Sequence, residues 1–346
     1  MGRRIVRTNL WTADGDRAAM KALLDTNYLY YMLDPSDPEA ADLARLSGVP
    51  SAFFSDVSIL EWIVRQGHPQ NGNLSKLQAG LSLIDRAQIR RLASPYVQID
   101  ANEISAFANA KALPEVAALH AGIVGRRMTI EHEWLRFLVA AAAGAYLTGI
   151  AQTIYFQGSP EWPQVLHLIP AILDANLSLI DQSVMDGLKT GYASGKHDRT
   201  LSDAIDAVRT SLVTVGRVFL EQLRGNALSK ADIDQTLEIS NFRLHLARAI
   251  NRGHLDQFRI DLRADILRAG SKHHFLVEYL LQRLEKVISV GANQRKNDVF
   301  DGFVAGHLAD GDVVIITRDQ AMQNILGDVF QRPHQTPAQF LASMPP

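Results

Sequence analysis

The sequence predicts an α/β protein, a parallel-sheet domain with helices on both faces, interrupted by a large all-α insertion. Two observations lead there. Short apolar runs suited to buried strands occur towards the two ends of the 346 residues, and each is joined to a helical pattern. Between them, from Ala101 to Ser289, apolar residues recur at three- and four-residue spacing without a strand pattern. Strands alternating with helices imply crossover connections and hence a parallel sheet. The expected divisions are an N-terminal arm over 1–19, a sheet domain built from 20–112 and 290–346, and a helical insertion over 113–289.

In chain order, Met20-Lys-Ala-Leu-Leu-Asp25 is an apolar run stopped by an acid, with a helix starting just after it. Asp34-Pro-Ser-Asp-Pro38 reads as a loop opening a helix over Glu39–Leu46. Gly48-Val-Pro leads into a second strand from Ser51 and a helix carrying Glu61 among Leu60, Trp62, Ile63 and Val64, which stops near Gly67. Leu74–Leu92 reads as helix by spacing, with Arg86, Arg90 and Arg91 on one side. In the insertion, Pro160, Pro163 and Pro170 punctuate the chain and Thr190–Thr200 reads as a loop. Asp203–Leu223, Ala231–Asn251, Asp256–Ala269 and His274–Val290 carry helical stripes. The closing unit begins at Asp298, with a stripe of Phe300, Phe303, Val304 and Leu308. Ala309-Asp-Gly-Asp312 supplies turn chemistry, and Val313-Val-Ile-Ile316 is a β-branched run suited to a core strand that leads to Asp319.

Composition bounds the function. Hydrophobic residues make up 47% and charged residues 21%, as in a globular chain. With no cysteine there are no disulfides, thiolate metal sites or cysteine nucleophiles. The basic opening Met-Gly-Arg-Arg-Ile-Val-Arg lacks the apolar core of a signal peptide, so a cytoplasmic protein is expected. A formal net charge of −2 means that any nucleic-acid face must be local. The eleven histidines form no His-Glu-x-x-His pattern, and no glycine-rich phosphate loop is present.

Taken together, these pieces resemble the PIN-domain nucleases. Leu23-Leu-Asp-Thr-Asn27 is similar to the family's first strand and its acid, and Glu61 falls where its helix after the second strand carries an acid. Tyr96-Val-Gln-Ile-Asp100 resembles the third strand, Asp301 to Asp319 the closing helix–strand unit with its Thr-Arg-Asp end, and Thr336–Leu341 the final helix. The resemblance covers about residues 20–112 and 290–342. It implies an endonuclease that hydrolyses RNA phosphodiester bonds through Asp25, Glu61, Asp301 and Asp319. Small members of the family are often toxins held by an antitoxin, which leaves a protein inhibitor open as a partner.

Carboxyl ends of parallel strands are where open α/β sheets place their ligands, so the four acids are expected in one pocket. Oxygen donors without His or Cys suit Mg²⁺ or Mn²⁺. Asp298, one turn before Asp301, is a secondary candidate ligand, and Asn27 and Thr317 could hydrogen-bond the acids from behind. The plainer readings stay open at this point: Asp25 and Asp319 as helix N-caps, Glu61 on a solvated helix face, Asn27 and Thr317 as turn formers. A scaffold that binds RNA or protein with little catalysis is the alternative function.

Between Phe242 and Lys296 eleven Lys/Arg face five acids, an excess that could draw a phosphate backbone. Arg295 and Lys296, beside the acidic helix, are the foremost RNA-binding candidates, against a reading of ordinary solvated helix faces. Phe137–Phe156 carries no charge and has the length of a membrane span, but its Ala, Gly and Thr content favours a helix buried in the insertion or against a second copy of the chain.

Overall fold

The structure is a computed structural model and describes residues 20–86, 89–127, 133–154, 159–193, 201–223, 228–238, 241–242, 244–246, 273–289, 298–332 and 334–344. The fold is α/β. Four strands, β1 (Lys21–Leu24), β2 (Ala52–Ser55), β3 (Arg90–Leu92) and β4 (Val313–Ile316), form one all-parallel sheet in the order β3-β2-β1-β4. Leu24 pairs with Phe54 on one side and with Ile316 on the other, so β1 is central and its carboxyl end opens beside that of β4.

Both faces of the sheet are covered, which explains why the strands read as continuous apolar runs. Side chains alternate along β1: Ala22 and Leu24 point into one core and Leu23 into the other. The first core is closed by α2 (Ala40–Ser47), α4 (Leu74–Arg86), α5 (Ala101–Asn109), α6 (Leu113–Arg127) and a C-terminal helix at Pro337–Ser343, through Leu43, Leu77, Phe107, Val116 and Phe340. The second joins Leu23, Val313 and Ile315 to the helical region, α7 (Glu133–Ile154), α8 (Trp162–Ala193), α9 (Leu201–Leu223), α10 (Lys230–Thr236), α11 (His274–Ser289) and α12 (Asp298–Gly306). The insertion is thus no satellite. Its helices complete the core on one face of the sheet. Gly302 lets α12 and α11 approach closely, because a Cβ there would meet Leu280 at 2.9 Å and Leu276 at 3.0 Å.

The helix α3 (Asp56–Gln66) lies between the two cores. Val57, Leu60 and Val64 join one, and Ile59, Trp62 and Ile63 the other. A helix apolar on all sides is a buried helix, and Glu61 sits in it with 1% of its surface exposed. Ser55 starts this helix by accepting hydrogen bonds from the Val57 and Ser58 amides at 3.0 and 3.3 Å.

Several sequence expectations need correction. The third strand is Arg90–Leu92, taken above as the end of a helix, while Tyr96–Asp100 is not a strand. β3 is an edge strand with an exposed face, so two arginines fit it. Tyr96 instead turns inward and stacks on Phe303 at 5.3 Å, and Asp100 begins α5 with a capping box to Glu103. Pro170 lies exposed inside α8, and that helix runs on to Ala193, over the first residues of the expected loop; residues 194–200 lie outside the described residues. The helix expected over Ala231–Asn251 breaks after Thr236 and helical residues resume at Phe242; the Asn241 side-chain amide donates to the freed Gln235 carbonyl at 3.2 Å and His245 Nε2 meets the Thr236 carbonyl at 2.8 Å. The stripe at Asp256–Ala269 and the arm at 1–19 lie outside the described residues.

In α7, Ala143, Ala145, Tyr146, Leu147, Ile150 and Ala151 are buried in the helical core. Among the described residues no helix is long and apolar enough to cross a membrane.

Candidate functional site

The carboxyl ends of β1 and β4 present Asp25, Thr317 and Asp319, and α3 brings Glu61 to the same place. Asp25 is 2% exposed, and its backbone N–H donates to the Ile316 carbonyl at 3.1 Å, which ties the two strand ends together. Its Oδ2 accepts from the Thr317 hydroxyl at 2.9 Å and the Asn27 amide at 3.1 Å. Both residues expected behind the acids are therefore there. Asp25 does not cap the following helix, α1 (Asn27–Met32), whose N-cap is Thr26 and makes no side-chain cap bond. Asp319 does cap: its Oδ1 accepts from the Ala321 and Met322 amides at 2.7 and 3.0 Å, and its own N–H donates to Thr317 Oγ1 at 3.0 Å.

Glu61 is held from two sides. The Thr26 hydroxyl donates to Oε2, and Arg65, one turn later on α3, makes an ion pair with Oε1. Asp301 is half-buried on α12 and accepts a long hydrogen bond from the Tyr279 hydroxyl at 3.4 Å, a contact supplied by α11.

Electrostatics shows that these groups share one environment. Burial pushes Asp25 above the usual carboxylate range; Thr317 and Asn27 oppose the shift, and the Asp319 charge adds to it. Burial likewise raises Glu61 to about 7, with Arg65 opposing and Asp25 adding. Burial works against the charge of Arg65 as well, but attraction by Glu61, Tyr30 and Asp301 outweighs it and holds the guanidinium above its ordinary value. Asp25 thus acts with both Asp319 and Glu61, and Asp301 acts on Arg65, the partner of Glu61. Asp298 is the first residue of α12; its side chain, with Arg295 and Lys296, lies outside the described residues.

The donors are carboxylate oxygens backed by hydroxyls and an amide, a set that fits a hard divalent ion by chemistry. Placement is more demanding. Among the described residues no three His, Cys, Asp or Glu side chains are grouped to hold one ion.

Arg65, Thr26 and Tyr279 are the members of the site that sequence reading missed. The Glu61–Arg65 spacing of four was visible, but such pairs are usual on solvated helix faces. Arg318, between Thr317 and Asp319, faces away from this cluster: it pairs with Asp37 and Glu39 and covers the Tyr31 ring at 4.0 Å, fastening the β4 end to the loop before α2. A separate cavity of about 410 Å³ lies in the insertion, lined by Thr153, Asp232, Thr236 and His245 among others. Comparison with protein-family models, curated proteins and solved structures matches the chain to none of them.

Proposed function

We propose that the chain is a PIN-like, metal-dependent ribonuclease whose site is the cluster of Asp25, Glu61, Asp301 and Asp319. The observation that carries this reading is the meeting of Asp25, Glu61 and Asp319 where β1 and β4 end, with Asp25 and Glu61 buried and burial raising the pKa of both. Perturbed carboxyls gathered at a strand-end rim are characteristic of functional sites. Asp25, Asp301 and Glu61 would hold Mg²⁺ or Mn²⁺, with Asp319 and Asp298 as further ligands. Such an ion supplies an activated water and stabilises the charge that develops on the phosphate. Thr317 and Asn27 keep the Asp25 carboxylate oriented, Thr26 keeps Glu61 in place, and Tyr279 fixes Asp301 from the insertion side. Arg295 and Lys296 would meet phosphates of the RNA.

The test is cleavage of RNA by the purified chain with Mg²⁺ or Mn²⁺ and with chelator. Asp25→Asn and Asp301→Asn should each abolish metal-stimulated cleavage while circular dichroism stays unchanged. Asp298→Asn sorts the neighbouring acid: a mild loss leaves Asp301 as the ligand, and a severe one implicates both. Metal-stimulated cleavage that persists in both Asp25→Asn and Asp301→Asn would overturn the assignment. A second reading, a scaffold that binds RNA or protein with little catalysis, draws on one observation: Arg65 already supplies a positive charge to these acids. Tight, metal-independent RNA binding without cleavage would select it.

A further inference from the structure

The cavity of about 410 Å³ in the insertion shares no residue with the acid cluster. Thr153 and Ile154 reach it from the end of α7, and Asp232, Gln235 and Thr236, at i, i+3 and i+4, from one face of α10. Asn241 and His245 close it from the residues that follow α10. These walls are tied to one another. His245, 1% exposed, donates from Nε2 to the Thr236 carbonyl at 2.8 Å and holds Nδ1 3.2 Å from the Thr153 hydroxyl. Asn241 Nδ2 donates to the Gln235 carbonyl at 3.2 Å, and Ile233 and Phe242 anchor both segments in the core. The volume is that of a small-molecule site.

Three observations select a ligand. Of the described residues that line the cavity, Asp232 alone carries a formal charge, and Arg217 of α9 is spent on its neighbour Asp234 at 2.8 Å. An anion such as a phosphate is therefore disfavoured. Asp232 also keeps an open acceptor: Oδ2 takes the Ser229 N–H and hydroxyl at 3.0 and 2.7 Å, while Oδ1 accepts no hydrogen bond among the described residues. Those Ser229 bonds hold the carboxyl below its ordinary value, so it is charged at neutral pH. Finally, Leu244 is 45% exposed, one of two large apolar side chains left so among the described residues, and it lines the cavity with Ile154 and Leu228. We propose that this cavity binds a small organic cation, an alkylammonium group carried on a short apolar body. The ammonium meets Asp232 Oδ1, and the body lies against Ile154, Leu228 and Leu244. His245, with both ring nitrogens engaged, is a fixed wall.

The test is titration of the full chain with n-pentylamine, and with 1-pentanol and pentanoate as neutral and anionic molecules of the same length, followed by amide resonances. The amine should move the amides of Gln235, Asn241 and Leu244 and bind about fivefold tighter than the alcohol, the upper range for a solvated charge pair. Pentanoate should bind more weakly than either. Asp232→Asn should remove the preference for the amine. Asp232 also belongs to the capping box of α10, so a second variant decides should Asp232→Asn fail to fold. Gln235→Lys, at an exposed position on the same helix face, adds a competing ammonium without touching the cap and should likewise remove the preference. Equal affinity of wild type for amine and alcohol would overturn the proposal, as would a preference that survives in a folded Asp232→Asn. Shifts confined to other residues, or no shift with any of the three molecules, would do the same. RNA cleavage plays no part in this readout, so the ribonuclease reading stands or falls separately.

Discussion

His307 follows the last residue of α12, inside the short 3₁₀ turn His307–Asp310, and offers a clean measure of what burial costs in this half of the fold. It is 2% exposed, and neither ring nitrogen has a hydrogen-bond partner. Burial lowers its pKa from 6.5 to about 4, with the Asp310 charge opposing. As pH falls below 6.5 the unfolded chain takes up a proton that the folded chain refuses until about 4, so stability drains away across that window. At about 1.4 kcal/mol per pKa unit, the shift is worth on the order of 3 kcal/mol when fully expressed. His307→Leu removes both the titration and two unpaired polar atoms, and relief of the latter should add about 1 kcal/mol or more at neutral pH. Urea unfolding of wild type and variant at several pH values between 4 and 8 is the assay. The variant should lead at every pH, and its lead should widen by about 2–3 kcal/mol on the acid side. Parallel curves would refute the reasoning, because they would mean that the ring is hydrated or paired in the folded chain.

Other predictions concern the site and its supports. Glu61 carries the opposite sign: its pKa rises from 4.5 to about 7, so the folded chain holds the proton longer and stability is lost as pH rises through that window. Glu61→Gln should flatten this loss, seen as a smaller fall in unfolding free energy between pH 5 and pH 8; an unchanged fall would count against a buried, strained carboxyl. Gly149→Ala should destabilise by about 1–3 kcal/mol in thermal unfolding, since overpacking exceeds the gain of up to ~1 kcal/mol in helix propensity. Its Cβ would collide with the His245 backbone carbonyl, and an equal or higher melting temperature would show that the packing of α7 gives way easily. Replacing Arg295 and Lys296 together by alanine should weaken RNA binding and make the slope of log affinity against log salt shallower by about 1.4 units, 0.7 for each lost phosphate contact on a single strand. An unaltered salt slope in a filter-binding titration would remove both from the RNA path.

Much of the sheet was legible because its central strands obey simple rules. Val313–Ile316 is a β-branched run between a turn and an acid, and it is β4 residue for residue. Ala52–Ser55 and the α3 helix were equally plain, since Ile59, Leu60, Trp62, Ile63 and Val64 spread apolar surface around most of that helix. The edge strand was not legible. Arg90 and Arg91 look helical by spacing, and only pairing with Phe53 and Phe54 makes them a strand. Arg91 is then held there by Asp56, a contact 35 residues away that no local pattern contains. At the site, Asp25 and Asp319 were visible as acids at the ends of apolar runs, and Glu61 as an acid among apolar helix neighbours. Arg65 was hidden because the same Glu–Arg spacing occurs on any solvated helix, and its burial arises from two cores that meet around α3.

The placement of β4 beside β1 has a consequence for the order of assembly. These neighbours are separated by roughly 290 residues, and the entropy of closing so long a loop is the largest such cost in the sheet. Pairing of β1 with β2 and packing of α8 on α9 use nearer contacts, so they can form on a growing chain and shorten the gap that remains. During synthesis Asp25 and Glu61 therefore emerge and fold long before Asp301 and Asp319 exist. Until β4 slots in, the half-built pocket holds Glu61 with Arg65 already attached to it on the same helix. The strand that completes the sheet is thereby also the one that brings Thr317 and Asp319 to Asp25, so this end of the fold is finished only when the chain is nearly all made.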